Sequence, residues 1–141
     1  MIAAPQPPCT VATARAAIVQ TRVRAKLLGD SVTPIAPKSA DQVLCPDGRT
    51  LAVTIASGGT AGDIGFVVFR TSEAGWTVAL VRAVYKLGLF RAGAGLVSSQ
   101  PVYERNDPNC CPSGGFDHLR YRWNGRRYAV VRRWHTARFE P

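Results

Sequence analysis

The chain has little lysine and little acid. Only Lys26, Lys38 and Lys86 occur among 18 basic residues, against nine Asp and Glu, so the net charge is +9 and is carried mostly by arginine. There is no lysine-rich tail of the kind that binds nucleic acid by charge alone. No stretch reaches the ~20 apolar residues of a membrane-spanning helix. The opening Met1-Ile-Ala-Ala-Pro lacks both the charged start and the apolar run of a secretory leader. Catalytic signatures are also missing. There is no Gly-x-Ser-x-Gly elbow, and the acids are scattered without a paired-carboxylate pattern. The glycine-rich stretch 57–65 is followed by Phe66-Val67-Val68-Phe69 and not by Gly-Lys-Ser/Thr. It is therefore expected to be a hairpin loop and not a phosphate-binding loop.

Histidines number two, His118 and His135. A ribonuclease-like enzyme needs one histidine as base and another as acid. Nothing in the spacing of these two calls for that arrangement. No cofactor is implied. No Cys-x-x-Cys pair or ligand-spaced histidine points to a metal.

What is present is a basic chain of 141 residues, 46% of them hydrophobic, enough for one domain with a core. The expected layout is a Pro-rich segment over 1–9, a single domain over 10–135 and a tail over 136–141. The segment Ala3-Ala4-Pro5-Gln6-Pro7-Pro8 reads like the linker that follows a removed leader. Four cysteines, Cys9, Cys45, Cys110 and Cys111, are expected to be disulfide-bonded, which implies an oxidising compartment. Three complete pairings exist. Cys9–Cys45 with a vicinal Cys110–Cys111 bridge is favoured. Its close rival ties Cys9 and Cys45 separately to the Cys110–Cys111 loop. An adjacent pair can also serve as a redox switch.

Thr10 is a good N-cap, and Ala12, Ala16, Val19, Val23 and Leu27 form an apolar stripe at helical spacing. The pattern predicts a helix over 11–28, with Arg15, Arg22 and Lys26 outward and Gly29 closing it. Residues 30–48 read as a loop. Residues 49–56 alternate, predicting a half-buried strand with Leu51, Val53 and Ile55 inward. Residues 66–71 and 76–84 flank a four-residue turn, with Trp76, Val78 and Leu80 on one face. Residues 85–95, with Gly88, Gly93 and Gly95, predict a strand end running into an apolar loop that could be a contact surface. Residues 96–103 are a further strand candidate.

The clearest signal is the last hairpin, Phe116 to Trp134, with Asn124-Gly125 as a two-residue turn. That turn sets Arg122 against Arg127 and Tyr121 against Tyr128. One face then carries Leu119, Tyr121, Trp123, Tyr128 and Val130. The other carries Arg120, Arg122, Arg127 and Arg133, with His118. Like charges directly opposite are unfavourable by roughly 0.2–1 kcal/mol. A tolerated Arg122–Arg127 pair points to an anion near this face. Candidate partners are an anionic envelope polymer, a membrane surface or a protein, with nucleic acid less favoured.

The segment Asp107-Pro108-Asn109-Cys110-Cys111-Pro112-Ser113-Gly114-Gly115, followed by Tyr121-Arg122-Trp123-Asn124-Gly125, resembles small bacterial secreted proteins and lipoproteins, including actinobacterial envelope proteins similar to the LppP/LprE lipoprotein group. The resemblance covers about 30 residues well and 50–103 loosely. It implies a secreted or periplasmic envelope location and no known catalytic activity. Cys9 follows Gln-Pro-Pro and not a lipobox of the Leu-Ala-Gly type.

The expected fold is α+β, an N-terminal helix packed on an antiparallel, hairpin-built sheet of five or six strands. The expected function is a non-enzymatic envelope protein with a binding or structural role. The alternative is a small secreted hydrolase, nuclease-like, using His118 or His135.

Overall fold

The computed structural model describes residues 6–23, 40–56 and 62–140. Thr10 opens helix α1, Val11–Thr21, and its hydroxyl accepts the Thr13 N–H. Arg22 closes it in the left-handed conformation (φ 53°), donating its N–H to the Ile18 carbonyl. The expected Gly29 cap lies outside the described residues. The buried face of α1 is Ala14, Ala17 and Ile18 and not Ala12, Ala16 and Val19; of the expected stripe, Val23, just past the helix, is buried in the same core, and Leu27 lies outside the described residues. In this stretch alanine and valine lie all round the helix, so periodicity alone does not choose a side. The small Ala14–Ala17 edge is the one that lets the helix approach the sheet closely, and Val19 is left 57% exposed.

The expected α+β fold with one sheet of five or six strands is not what forms. The described residues are mostly β: among them eight strands build two four-stranded antiparallel sheets, with one short helix. The first sheet is a meander of β1 (Ala40–Leu44), β2 (Thr50–Ala56), β3 (Asp63–Ser72) and β4 (Gly75–Ala83). The second repeats that order with β5 (Gly88–Ala92), β6 (Gly95–Pro101), β7 (Phe116–Trp123) and β8 (Tyr128–Thr136). Strand β1 falls in the expected 30–48 loop. Strand β5 falls where a loose apolar loop was expected, and its Leu89 is buried.

The first sheet is covered on both sides. Leu51, Val53, Ile55, Val67 and Phe69 pack with α1, while Ala52, Phe66 and Val68 pack against Leu96, Tyr121 and Tyr128 of the second sheet. Strand β2 is therefore buried on both faces and not half-buried as its alternation suggested. Its polar side chains are satisfied locally. The Thr54 hydroxyl accepts the Gln42 N–H at 2.9 Å, and the Thr50 hydroxyl donates to Asp47 at 3.0 Å.

Corresponding hairpins of the two meanders share a bulge. In β3–β4, Val68 pairs Leu80 but Phe69 pairs Val78, leaving Ala79 extra. In β7–β8, Arg120 pairs Arg132 but Tyr121 pairs Val130, leaving Val131 extra. An extra residue reverses which face the following side chains take. Leu80 accordingly packs towards the second sheet, while Trp76 and Val78 pack towards α1.

The sheets are joined through tyrosine. Tyr121 is 1% exposed and meets Phe66 edge to face at 5.6 Å. Its hydroxyl accepts from the Arg82 guanidinium at 2.7 Å and lies 3.1 Å from the Ser98 hydroxyl. At one end of the same interface Arg70 lies 4.1 Å over the Trp123 ring and reaches Asp47 at 3.4 Å. Tyr128 is also buried, but among the described residues its hydroxyl has no partner, and burial pushes its pKa up to about 12.

The same substitution at the two tyrosines should have opposite effects. Tyr121→Phe strips Arg82 and Ser98 of a partner and should cost about 1–2 kcal/mol. Tyr128→Phe removes an unsatisfied polar atom and should be neutral or stabilising. Urea denaturation of both variants checks this. Equal shifts would remove the hydroxyl network as a stabilising element.

Candidate functional site

The last hairpin turns differently from expectation. Four residues, 124–127, make the turn. The Asn124 side-chain oxygen accepts the N–H groups of Arg126 and Arg127, and the Asn124 N–H donates to the Arg127 carbonyl at 3.1 Å. Gly125 supplies the positive φ (97°) that the turn needs. Trp123 thus faces Tyr128, Tyr121 faces Val130 and Arg122 faces Ala129, so neither the Arg122–Arg127 nor the Tyr121–Tyr128 pair forms. The slip is two residues. That preserves the faces near the turn, and Tyr121, Trp123, Tyr128 and Val130 all meet the core. Beyond the bulge the faces of β8 exchange.

Of the four arginines expected to share a face, Arg120 and Arg122 do. Arg127 lies in the turn, exposed, and Arg133 stands opposite Leu119 on the other side of the strand pair. Arg132 takes its place directly opposite Arg120. The outer face of the second sheet therefore carries a row Phe90–Val97–Arg120–Arg132 and, beside it, a row Ser99–His118–Trp134. The Arg132 guanidinium lies 4.6 Å over the Trp134 ring. Among the described residues neither Arg120 nor Arg132 forms an ion pair, and the Arg120 Nε is buried without an acceptor.

His118 does share the arginine face, as expected, but it is fully buried. Trp134 stacks on it at 5.2 Å. Its Nδ1 meets the Ser99 hydroxyl and its Nε2 the Thr136 hydroxyl, both at 2.7 Å. Thr136 also bonds the Arg138 carbonyl, and Phe139 packs over Phe90 and Phe116. The C-terminal residues thus cover the face at Phe90, Phe116 and His118, and leave Arg132 exposed and Arg120 half-buried. With both nitrogens occupied, His118 has no route to a substrate. His135 is on the opposite side, half-exposed and held by Asp117 at 2.7 Å.

A scan of protein-family models and searches of curated proteins and solved structures find no match. The site must be judged from its own geometry. Among the described residues no three His, Cys, Asp or Glu side chains gather to hold a metal ion. One groove, about 410 Å³, lies beside Cys9, Cys45, Asp47, Trp76 and Arg91. Its acid is already engaged: Asp47 accepts from the Arg49 N–H, the Thr50 hydroxyl and Arg70. Arg132 and Trp134 are the site residues that alternation missed, because an unmarked bulge at Val131 sets them on this face.

Burial lowers the His118 pKa below its ordinary value near 6.5; the charge of Asp117 opposes this and that of His135 adds to it. The unfolded chain then takes up a proton before the folded one does. Stability is complete above the ordinary value, declines as pH falls through it, and levels off below the depressed folded value. Thermal melts from about pH 8 to pH 5 should show this decline, and His118→Gln should flatten it. An unchanged slope in the variant would mean another group carries the acid sensitivity.

Proposed function

We propose that the chain is a non-enzymatic secreted or periplasmic protein of a bacterial envelope that binds an anionic polymer at the Arg120–Arg132 part of its outer sheet face. The observation that carries this is the cross-strand Arg120–Arg132 pair. The two arginines are directly paired across β7 and β8, and among the described residues neither has an acid partner; the Arg132 guanidinium lies over an indole, and the Arg120 Nε is a buried donor lacking an acceptor. Such an arrangement is unfavourable alone and favourable once an oxyanion bridges it. Arg122 extends the charge towards the turn, where Arg126 and Arg127 are exposed. Aromatic backing holds a guanidinium flat for planar, two-pronged bonding to phosphate or carboxylate.

The envelope location is supported by the disulfides, which persist in oxidising compartments. It is also supported by the resemblance of 107–115 and 121–125 to LppP/LprE-like envelope proteins. The hydrolase alternative has one observation in its favour, the exposed His135 oriented by Asp117. It would have to work without His118.

Binding to polyphosphate, measured by fluorescence of the tryptophans at rising salt, tests the proposal. Affinity should fall steeply with ionic strength, as for other polyanion contacts. Arg120→Gln with Arg132→Gln should weaken it by about tenfold or more, since each charge-assisted bond contributes roughly 1.5–3 kcal/mol. Arg133→Gln, on the other side of the strand pair, should weaken it much less. Salt-independent binding, or equal losses at Arg132 and Arg133, would sink the assignment. Polyanion hydrolysis abolished by His135→Ala would favour the enzyme instead.

A further inference from the structure

The two disulfides of this protein differ in what they can do for stability. Cys9–Cys45 links positions 36 apart, with Cα atoms 6.0 Å apart, and ties the entry to α1 to the end of β1. Closing a loop of that size removes unfolded-state freedom and stabilises the native chain. Cys110–Cys111 joins neighbours. It closes no chain loop, so it removes almost no unfolded-state freedom and staples nothing.

The segment around it is held in place by other bonds. The Asp107 carboxylate accepts the Glu104 and Ser113 N–H groups, both at 2.7 Å, and the Ser113 hydroxyl at 2.8 Å. Those bonds hold its carboxyl below the usual carboxylate range. The Cys111 N–H reaches the Pro108 carbonyl at 3.0 Å. The Asn109 carbonyl accepts the Tyr103 hydroxyl at 2.7 Å and the Lys86 ammonium. Lys86 itself lies between the Tyr85 and Tyr103 rings, 5.6 and 5.5 Å from their centres, on a left-handed backbone (φ 54°). A non-glycine residue in that conformation is held there by its surroundings. Gly114 and Gly115 complete the anchoring through Val102. Both cysteines are exposed at the tip of this fixed loop.

We propose that Cys110–Cys111 is a thiol–disulfide exchange site that accepts electrons from a dithiol partner. A partner thiolate attacks one sulfur, the Cys110–Cys111 bond breaks, and a mixed disulfide forms while the other cysteine leaves as thiolate. The second partner thiolate then attacks the mixed disulfide. The partner departs as its own disulfide, two electrons pass to the pair, and the partner's two thiol protons balance the two new thiols. The bonds from Asp107, Tyr103 and Lys86 involve neither sulfur, so the loop keeps its place in both redox states. The positive charge of Lys86, which is bonded to the Asn109 carbonyl one residue before Cys110, favours the thiolate form that exchanges. The site is independent of the anion-binding face.

The test uses the native chain equilibrated in graded ratios of reduced to oxidised dithiothreitol, quenched with acid, alkylated and mapped by peptide mass. Cys110 and Cys111 should be alkylated at a reductant ratio at least about tenfold lower than Cys9 and Cys45, and should re-form their bond in oxidised dithiothreitol. The double variant Cys110→Ser/Cys111→Ser should melt within a few degrees of the parent, and Cys9→Ser/Cys45→Ser should melt well below it. Reduction of both bonds together, or of Cys9–Cys45 first, overturns the proposal. So does a large loss of melting temperature in the Cys110→Ser/Cys111→Ser variant, which would make the bond structural.

Discussion

The hydroxyl of Tyr121 is the point through which the two meanders become one body. Each sheet alone would leave an apolar face in water. Their union buries Phe66, Val68, Leu96, Tyr121 and Tyr128 together, and burial of such side chains is worth roughly 1.5–3 kcal/mol apiece. Apolar contact is non-directional and would tolerate sliding of one sheet over the other. The Arg82–Tyr121–Ser98 bonds do not, because each has a fixed length and angle. Arg70 stacked on Trp123 adds a second fixed point at one end of the interface. The arrangement on the outer face follows from this. With Tyr121 turned inward, Arg120 and Arg122 must point outward.

Much of this was legible in the residues. The inward set Tyr121, Trp123, Tyr128 and Val130 follows from alternation, and it survived an error in the turn because a slip of two residues keeps parity. The turn itself was misread for a local reason. Asn124 uses its side chain to accept two following N–H groups, which takes four residues where Asn-Gly usually needs two. The bulge at Val131 leaves no mark in the sequence, so plain alternation assigns Arg133 to the face that Arg132 occupies. Strand β5 was missed because three glycines in eight residues read as a loop. Two of those glycines, Gly88 and Gly95, sit within paired strands, and a Cβ at Gly95 would run into the Tyr121 carbonyl. Within the helix the stripe misses the buried side at Ala12, Ala16 and Val19, because alanine and valine occupy most of the circumference, while Val23 is buried as expected.

The candidate site was legible in kind and not in detail. Alternation places Arg120 and Arg122 together but not Arg127 or Arg133, and the vicinal Cys110–Cys111 bridge is the favoured of two pairings that the residues leave open. The burial of His118 was not visible, since its cover comes from Trp134 across the bulge and from Phe139 folding back over the sheet. A histidine in a strand carries no local mark of what lies above it.

Strand β8 is an edge of the second sheet, nine residues long, and among the described residues no strand pairs with its outer side. Such an edge invites pairing with another chain. Here it is guarded: the bulge bends it, and Arg132 and Arg133 repel an identical strand brought alongside. An oxyanion that bridged Arg120 and Arg132 would also discharge part of that guard. Occupied by a polymer, the same edge that keeps the free protein apart from its copies would become the place where neighbouring copies along that polymer could meet.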